Sequence, residues 1–322
     1  MRSTGSSRET AGFFFRGMNP WYAKIAAMSQ DRRALDRVAI SVMLVLTSLW
    51  GFQQVTVKWI AEDVSLVMQA AIRSIVATAL LLAWARWRGL SLFGRDATLW
   101  PGIAAGLLFA LEFVFIYAGL GHTNASRMSV FVYLAPPLTA LGLHFFVRGE
   151  RLGPRQWLGV LVAFAGIVLA FGQGFAAGRD TLLGDACGVI AAVFWAATTV
   201  LIRATRLGAA SATKVLFYQL AVSAAVLPLA SWLLREPGVT ALTPVALASL
   251  AYQGVIVAFA SYLAWFWLLT RYWAARLSVL SFLTPMFGVL FGVLFLAEPL
   301  GPAFAAAAAL VALGIVLVNL RA

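Results

Sequence analysis

The chain has 322 residues, of which 62% are hydrophobic and 11% charged, and its formal net charge is +12. An ordinary globular domain is about 45–50% apolar and about 25% charged, so a soluble fold is excluded and a lipid-embedded chain is expected. One cysteine, Cys187, excludes an internal disulfide or a cysteine metal cluster, and the only histidines are His122 and His144.

Residues 1–36 carry Arg2, Arg8, Arg16, Lys24, Arg32 and Arg33 without the continuous apolar core of a signal peptide. They are expected to form a flexible cytoplasmic tail. A bilayer-crossing helix needs roughly 20 mostly apolar residues. Ten such segments follow, near 38–59, 64–86, 98–120, 125–147, 155–174, 184–203, 213–234, 242–269, 275–297 and 303–320.

The first segment places Thr47, Trp50, Gln54 and Lys58 on one helical stripe, with Gln53 beside it. The stripe reads either as the lining of a solute cavity or as hydrogen-bonding between helices. The second and third carry Arg73 and Glu112, each roughly 13 Å in from the same surface at 1.5 Å per residue. Charges inside a membrane are costly. Two of opposite sign at equal depth read as a structural ion pair, or as a proton-coupling or substrate-binding site. The fourth holds Ser129, Tyr133, Pro136 and Pro137. The sixth repeats the first as Trp195, Thr198, Thr199 and Arg203. The eighth carries Tyr252, Gln253, Ser261, Tyr262, Trp265 and Trp267, and the ninth Ser278, Ser281, Phe282 and Pro285. Proline removes a backbone donor, so the fourth and ninth helices are expected to be interrupted at Pro136, Pro137 and Pro285. Such breaks are tolerated only against protein or a water-filled cavity. Gly102 with Gly106, and Gly288 with Gly292, allow close helix approach.

Placing the N-terminus inside leaves only Lys58, Arg127, Arg179 and Arg235 on the outer side, with Arg73 in the membrane. This bias puts both termini in the cytoplasm. It also explains the net charge without a nucleic-acid partner. At an offset of 149, Ser129, Leu134, Pro136 and Leu141 match Ser278, Leu283, Pro285 and Leu290. At 148, Glu150, Gly153, Pro154 and Gly166 match Glu298, Gly301, Pro302 and Gly314, and at 145 Trp50 matches Trp195. The acid of the shared Glu-x-Leu-Gly-Pro ending reads as a cap or as a gate. The fold class is therefore an all-α polytopic membrane protein, with ten transmembrane helices as two inverted five-helix repeats. The expected units are the tail 1–36, a first repeat 37–174 and a second repeat 175–322. An odd number of helices inverts the second copy, and inverted repeats suit two halves rocking about a midplane site.

"LWGFQQVTVKW", "LAPPLTALGLHFFVRGERLG" and "FLTPMFGVLFGVLFLAEPLG" resemble the EamA family of the drug/metabolite transporter superfamily, and within it the YddG-like amino-acid exporters. The resemblance covers roughly 38–320 and departs in Arg148-Gly149 before Glu150 and in the double proline. It implies a secondary transporter, usually an exporter of amino acids or related metabolites. The residues expected to bind substrate are Trp50, Gln54, Tyr133, Trp195, Gln253, Tyr262, Ser281 and Phe282. Small-drug or cation efflux, and more remotely a passive channel or scaffold, are the alternatives. No clustered metal ligands, Cys–His pair or serine with a base is present, so no enzyme, cofactor or metal is expected. The partners expected are a small molecule and the bilayer of a bacterial-type inner membrane, with the chain a monomer or homodimer.

Overall fold

Asp36 starts the first helix. Its carboxylate accepts from the Ala39 amide at 2.8 Å and from the Tyr272 hydroxyl at 2.8 Å, filling donors that a helix N-terminus leaves open. These bonds, the Ala39 amide first, hold Asp36 below the usual carboxylate range. The computed structural model describes residues 36–93, 96–147, 152–272, 277, 280–281 and 283–319. The tail before Asp36 and the Glu150 ending lie outside them.

The first repeat comprises α1 (Arg37–Trp59), α2 (Leu66–Trp87), α3 (Leu99–Leu120), a fourth segment of α4 (Ala125–Val132) and α5 (Ala135–Phe146), and α6 (Pro154–Ala177). The second comprises α7 (Arg179–Ala204), a 3₁₀ turn at Arg206–Ala209 and α8 (Ala212–Leu233). Its eighth segment consists of α9 (Pro244–Ala251), a π-helix (Tyr252–Ser261) and α10 (Tyr262–Arg271), and α11 (Leu283–Leu296) and α12 (Pro302–Asn319) follow. Among the described residues, seven segments are long and apolar enough to cross a membrane, and shorter apolar helices lie in α6, α11 and α12. The chain is a polytopic α-helical membrane protein built as two inverted five-helix repeats.

The fourth segment breaks at Tyr133–Leu134, one turn before the prolines. Pro136 and Pro137 sit in the first turn of α5, where a missing N–H is tolerated. Pro285 is buried within α11. The repeat boundary expected at 174/175 falls inside α6. The chain turns instead at Gly178, whose φ of 107° favours glycine.

The inversion is written into one contact. A β-carbon on Gly166 would lie 2.8 Å from Ala307 O and Val311 N, and one on Gly314 would lie 2.5 Å from Gly159 O and 2.4 Å from Ala163 N. At the offset of 148, Gly159 and Ala163 are the equivalents of Ala307 and Val311. The contact between α6 and α12 maps onto itself with partners exchanged, as a two-fold axis requires. Around it α2 packs on α8, and the pairing of α1 with α11 is matched by that of α7 with α5. Phe52 on α1 centres a cluster with the rings of Trp59, Tyr252, Phe291 and Phe295.

Acids of the second repeat tie one end of the bundle together. Glu298 accepts from Ala125 N (2.7 Å), Ser126 N (2.9 Å) and Ser126 Oγ (2.6 Å) at the start of α4. Glu236 accepts from Val67 N (2.9 Å), Met68 N (3.1 Å), Ser65 Oγ (3.0 Å) and Ser231 Oγ (2.6 Å) at the start of α2. Each carboxylate meets the open donors and positive dipole end of a helix in the other repeat. Arg127 and Asp185 form a buried ion pair between α4 and α7. At the opposite end Lys214 Nζ lies 2.7 Å from Asp96, which holds the Asp96 carboxyl down to about 2 with help from Thr98.

Two predictions follow from these contacts. Gly314→Ala forces a methyl into backbone and should destabilise by about 1–3 kcal/mol, seen as a lower melting temperature in detergent. Gly301→Ala, with nothing within 4 Å of its added methyl, should be neutral. Asp96 has a depressed value in the folded chain, so its contribution is present above the ordinary 3.8 and lost as pH falls toward about 2. The melting-temperature gap between wild type and Asp96→Asn should close over that window.

Candidate substrate site

Four elements bring polar side chains to the middle of the bundle. Gln69 and Arg73 stand one turn apart on α2, as do Ser249 and Gln253 across the start of the π-helix, so each pair shares a face. Tyr117 projects from α3 and Gln53 from α1. The Tyr117 hydroxyl accepts from Gln53 Nε2 at 3.0 Å and Arg73 Nη1 at 3.3 Å, and donates to Gln253 Oε1 at 3.0 Å. Gln253 Nε2 donates to Gln69 Oε1 (3.0 Å) and Ser249 Oγ (3.2 Å). Gln69 Nε2 donates to Val57 O and Val64 O. Arg73 Nη2 donates to the Tyr262 hydroxyl at 3.4 Å, and its guanidinium lies 4.1 Å over the Phe113 ring.

Beside this network is an aromatic wall. Trp50 Nε1 donates to Ser261 Oγ at 2.8 Å, and its ring meets Tyr262 at 6.5 Å and Trp265 at 5.9 Å. Tyr133 meets Trp195 edge-on at 5.4 Å. The Tyr133 and Tyr262 hydroxyls lie within electrostatic reach of Glu112.

The expected Arg73–Glu112 ion pair is not made. Both residues are buried, Arg73 at 0% exposure and Glu112 at 5%, yet no nitrogen–oxygen contact between them falls within 4.0 Å. Equal depth was legible, but the direction in which Arg73 points was not. Two tyrosine hydroxyls and a ring face hold the guanidinium instead. Arg73 Nε and Glu112 Oε2 are both left without a hydrogen-bond partner among the described residues, as are Ser129 Oγ, Ser223 Oγ and Gln54 Oε1. Buried polar atoms are rarely left unmatched.

Of the residues expected to bind substrate, Trp50, Tyr133, Trp195, Gln253 and Tyr262 stand at this centre. Gln54 is half-buried with Oε1 lacking a hydrogen-bond partner among the described residues, and the neighbouring Gln53 joins the network. Ser281 is half-buried, and Phe282 lies outside the described residues. Gln69, Tyr117 and Ser249 were not singled out from the sequence. The spacing of Gln69 from Arg73 and of Ser249 from Gln253 was the available signal. Trp265 packs on Trp50, and Trp267 lies under Arg271. His144 accepts from Leu152 N and meets Trp157 edge to face.

A bundle of inverted helical repeats around a polar centre is the architecture of a membrane transporter. The chain belongs to the EamA-like transporter family, whose model matches it twice, over residues 37–172 and 182–320, and so to the drug/metabolite transporter superfamily. An uncharacterized transporter of Archaeoglobus fulgidus is 27% identical over 78% of this chain and 86% of its own length. The uncharacterized transporter YoaV of Bacillus subtilis is 22% identical over 80% and 88%. A WAT1-related chloroplastic protein of Arabidopsis thaliana is 28% identical over 84% and 66%. A crystal structure 24% identical superposes with a TM-score of 0.64 over 87% of this chain and 97% of that one, which shows the fold.

Tyr117 joins three buried side chains, so Tyr117→Phe strands donors on Gln53 and Arg73 and an acceptor on Gln253. The expected loss is about 1–3 kcal/mol, read as a fall in melting temperature. Combining it with Gln253→Ala should cost less than the two singles together. Strict additivity would show that the network is not shared.

Proposed function

We propose that the protein is a secondary transporter that exports amino acids across a bacterial-type inner membrane by alternating access between its two repeats. Both termini are cytoplasmic in this reading. The observation that carries it is the pair of buried, opposite, mutually unbonded charges, Arg73 and Glu112, each with an unpartnered atom. A guanidinium edge suits a carboxylate, a carboxylate oxygen suits an ammonium group, and an amino acid brings both. Trp50, Tyr262 and Tyr133 supply apolar surface for its side chain. The network runs from α1, α2 and α3 of the first repeat to the eighth segment of the second, so rocking of the repeats alters the site itself.

Efflux of small organic cations is the second reading. The aromatic rings and Glu112 favour it, and the buried charge of Arg73 opposes it. The units of the reading are the tail 1–36 and the two repeats, now divided at Gly178. Pro136, Pro137 and Pro285 are the bending points in the fourth and ninth segments.

Counterflow in proteoliposomes loaded with unlabelled phenylalanine tests the carrier, because only alternating access accumulates label by exchange. Trp50→Ala should lower the exchange rate about tenfold, equivalent to losing ~1.4 kcal/mol of solute contact. Val45→Ala, on the exposed face of α1, should not. No counterflow with phenylalanine, and counterflow with phenethylamine instead, would favour the cation reading. Orientation is checked with a single cysteine at Arg179 in a Cys187→Ala background, which should react with an impermeant maleimide from outside intact cells.

A further inference from the structure

We infer that the contact between α4 and α11 is a latch that shuts the outer end of the bundle, the end away from the termini, and that the empty carrier rests with this end closed. This deepens the carrier reading above, on which it rests, by naming its outer gate and its resting state.

The repeats touch in two kinds of place. The contact of α6 with α12 maps onto itself under the two-fold relation, so it serves both ends of the bundle alike and cannot open one of them alone. The contact of α4 with α11 does not. It joins opposite repeats at the end where α4 begins. At the offset of 149 its equivalent falls at the other end, on residues of α5 and the start of the ninth segment. A contact that occurs once at each end is the kind that a rocking carrier makes and breaks in turn.

At the latch the two backbones meet without side chains between them. Ser126 and Ser129 lie one turn apart on α4, and Gly288 and Gly292 one turn apart on α11, so each pair shares a face. All four are buried. A β-carbon on Gly288 would lie 2.6 Å from Ser129 Cβ, and one on Gly292 would lie 2.5 Å from Glu298 Oε2. Glu298 closes over the joint, accepting from Ser126 Oγ and from the amides of Ala125 and Ser126. The carboxylate comes from the repeat of α11 and its donors from the repeat of α4. Parting the helices therefore breaks all three hydrogen bonds together.

The other end is built differently. Thr139 and Leu143 are the equivalents of Gly288 and Gly292, and Ser278 and Ala275 are those of Ser129 and Ser126. Two side chains stand where the latch has none, so the matching backbones cannot approach as closely. The acid is common to both repeats, as Glu150 and Glu298, so the glycines make the difference. The outer closure is the tighter of the two, and the empty carrier rests shut outside and open to the cytoplasm.

A cysteine in place of Gln54 reports which end is open. Gln54 lies on α1 one turn beyond Trp50 toward the latch, and its Oε1 has no partner among the described residues. In a Cys187→Ala background, Gln54→Cys is labelled by an impermeant maleimide from outside intact cells and from the cytoplasmic face of inverted vesicles. With the latch intact, the cytoplasmic rate should be the faster. Gly288→Ala or Gly292→Ala drives a methyl into the joint and should raise the outer rate about tenfold, as ~1.4 kcal/mol of lost closure implies, while the cytoplasmic rate falls. Glu298→Gln, which adds no bulk, should move both rates the same way by about threefold. Gly301→Ala should move neither. A bundle merely loosened by the added methyl would raise both rates. Equal rates from the two faces before any substitution, rates that rise together, or rates unmoved by the glycine variants and Glu298→Gln alike would overturn the latch. Insertion is scored by outside labelling of Arg179→Cys, and where a glycine variant does not insert, Glu298→Gln decides alone. Phenylalanine counterflow separates the latch from the reading it rests on. Counterflow without a trade of rates would remove the latch and leave the carrier. A trade of rates without counterflow would keep the latch and remove the amino acid.

Discussion

A fully buried arginine is the constraint around which the bundle is assembled. On insertion scales a charge at the membrane centre costs roughly 2.5–3.5 kcal/mol, and Arg73 is fully buried. The protein offsets that cost with two hydroxyl oxygens and a ring face rather than with an acid. This keeps the charge available: an ion pair would satisfy it, whereas Tyr117 and Tyr262 only solvate it. The same hydrogen bonds close the accounts of a helix end. The last carbonyls of α1 have no partner within the helix. Thr56 O takes the Ser249 hydroxyl and Val57 O the Gln69 amide. Gln69 and Ser249 both then bond Gln253, which bonds Tyr117, which bonds Arg73. Helix termination and charge solvation are one network.

The two repeats share a backbone plan and divide the chemistry. The equivalents of Arg73 and Glu112 are Ser223 and Ser261, so both charges of the centre belong to the first repeat. Ser261 is used otherwise, accepting from Trp50 and donating to Val257 O. At the end of the bundle the donation is reversed: Glu236 and Glu298 of the second repeat cap α2 and α4 of the first. A symmetric scaffold gives equal leverage to both halves, and an asymmetric site gives one solute orientation.

Most of the fold was legible because lipid leaves few options. Backbone groups in a bilayer must be satisfied within the segment, so ten apolar runs imply ten helices, and matched prolines and glycines reveal the repeat. The site was legible by depth and not by azimuth. Trp50, Arg73, Glu112, Gln253 and Tyr262 were identified because polar groups in apolar runs need a reason. Gln54 was singled out because it continues the stripe of Thr47 and Trp50, whereas Gln53, turned about 100° from it, is the residue whose amide meets the hydroxyl on α3. Opposite charges at equal depth in Arg73 and Glu112 suggested a pair. A shared solute explains that coincidence as well as a shared bond does.

The π-helix was not legible at all, and it makes the site possible. Gln253 and Tyr262 are nine residues apart. In an α-helix of 3.6 residues per turn that is two and a half turns, which sets them on opposite faces. The i→i+5 bonding of a π-helix widens the turn to roughly 4.4 residues, so nine residues make about two turns and the pair face the same way. Both then reach one network, Gln253 through Tyr117 and Tyr262 through Arg73. No periodicity in "YQGVIVAFASY" announces this, because its interior, "GVIVAFA", is apolar throughout. What selects the wider turn is tertiary: Gln253 is bound to Gln69 and Tyr117, while Ser261 is held by Trp50. The partners at the two ends of the segment demand one face, and the backbone between them unwinds to supply it.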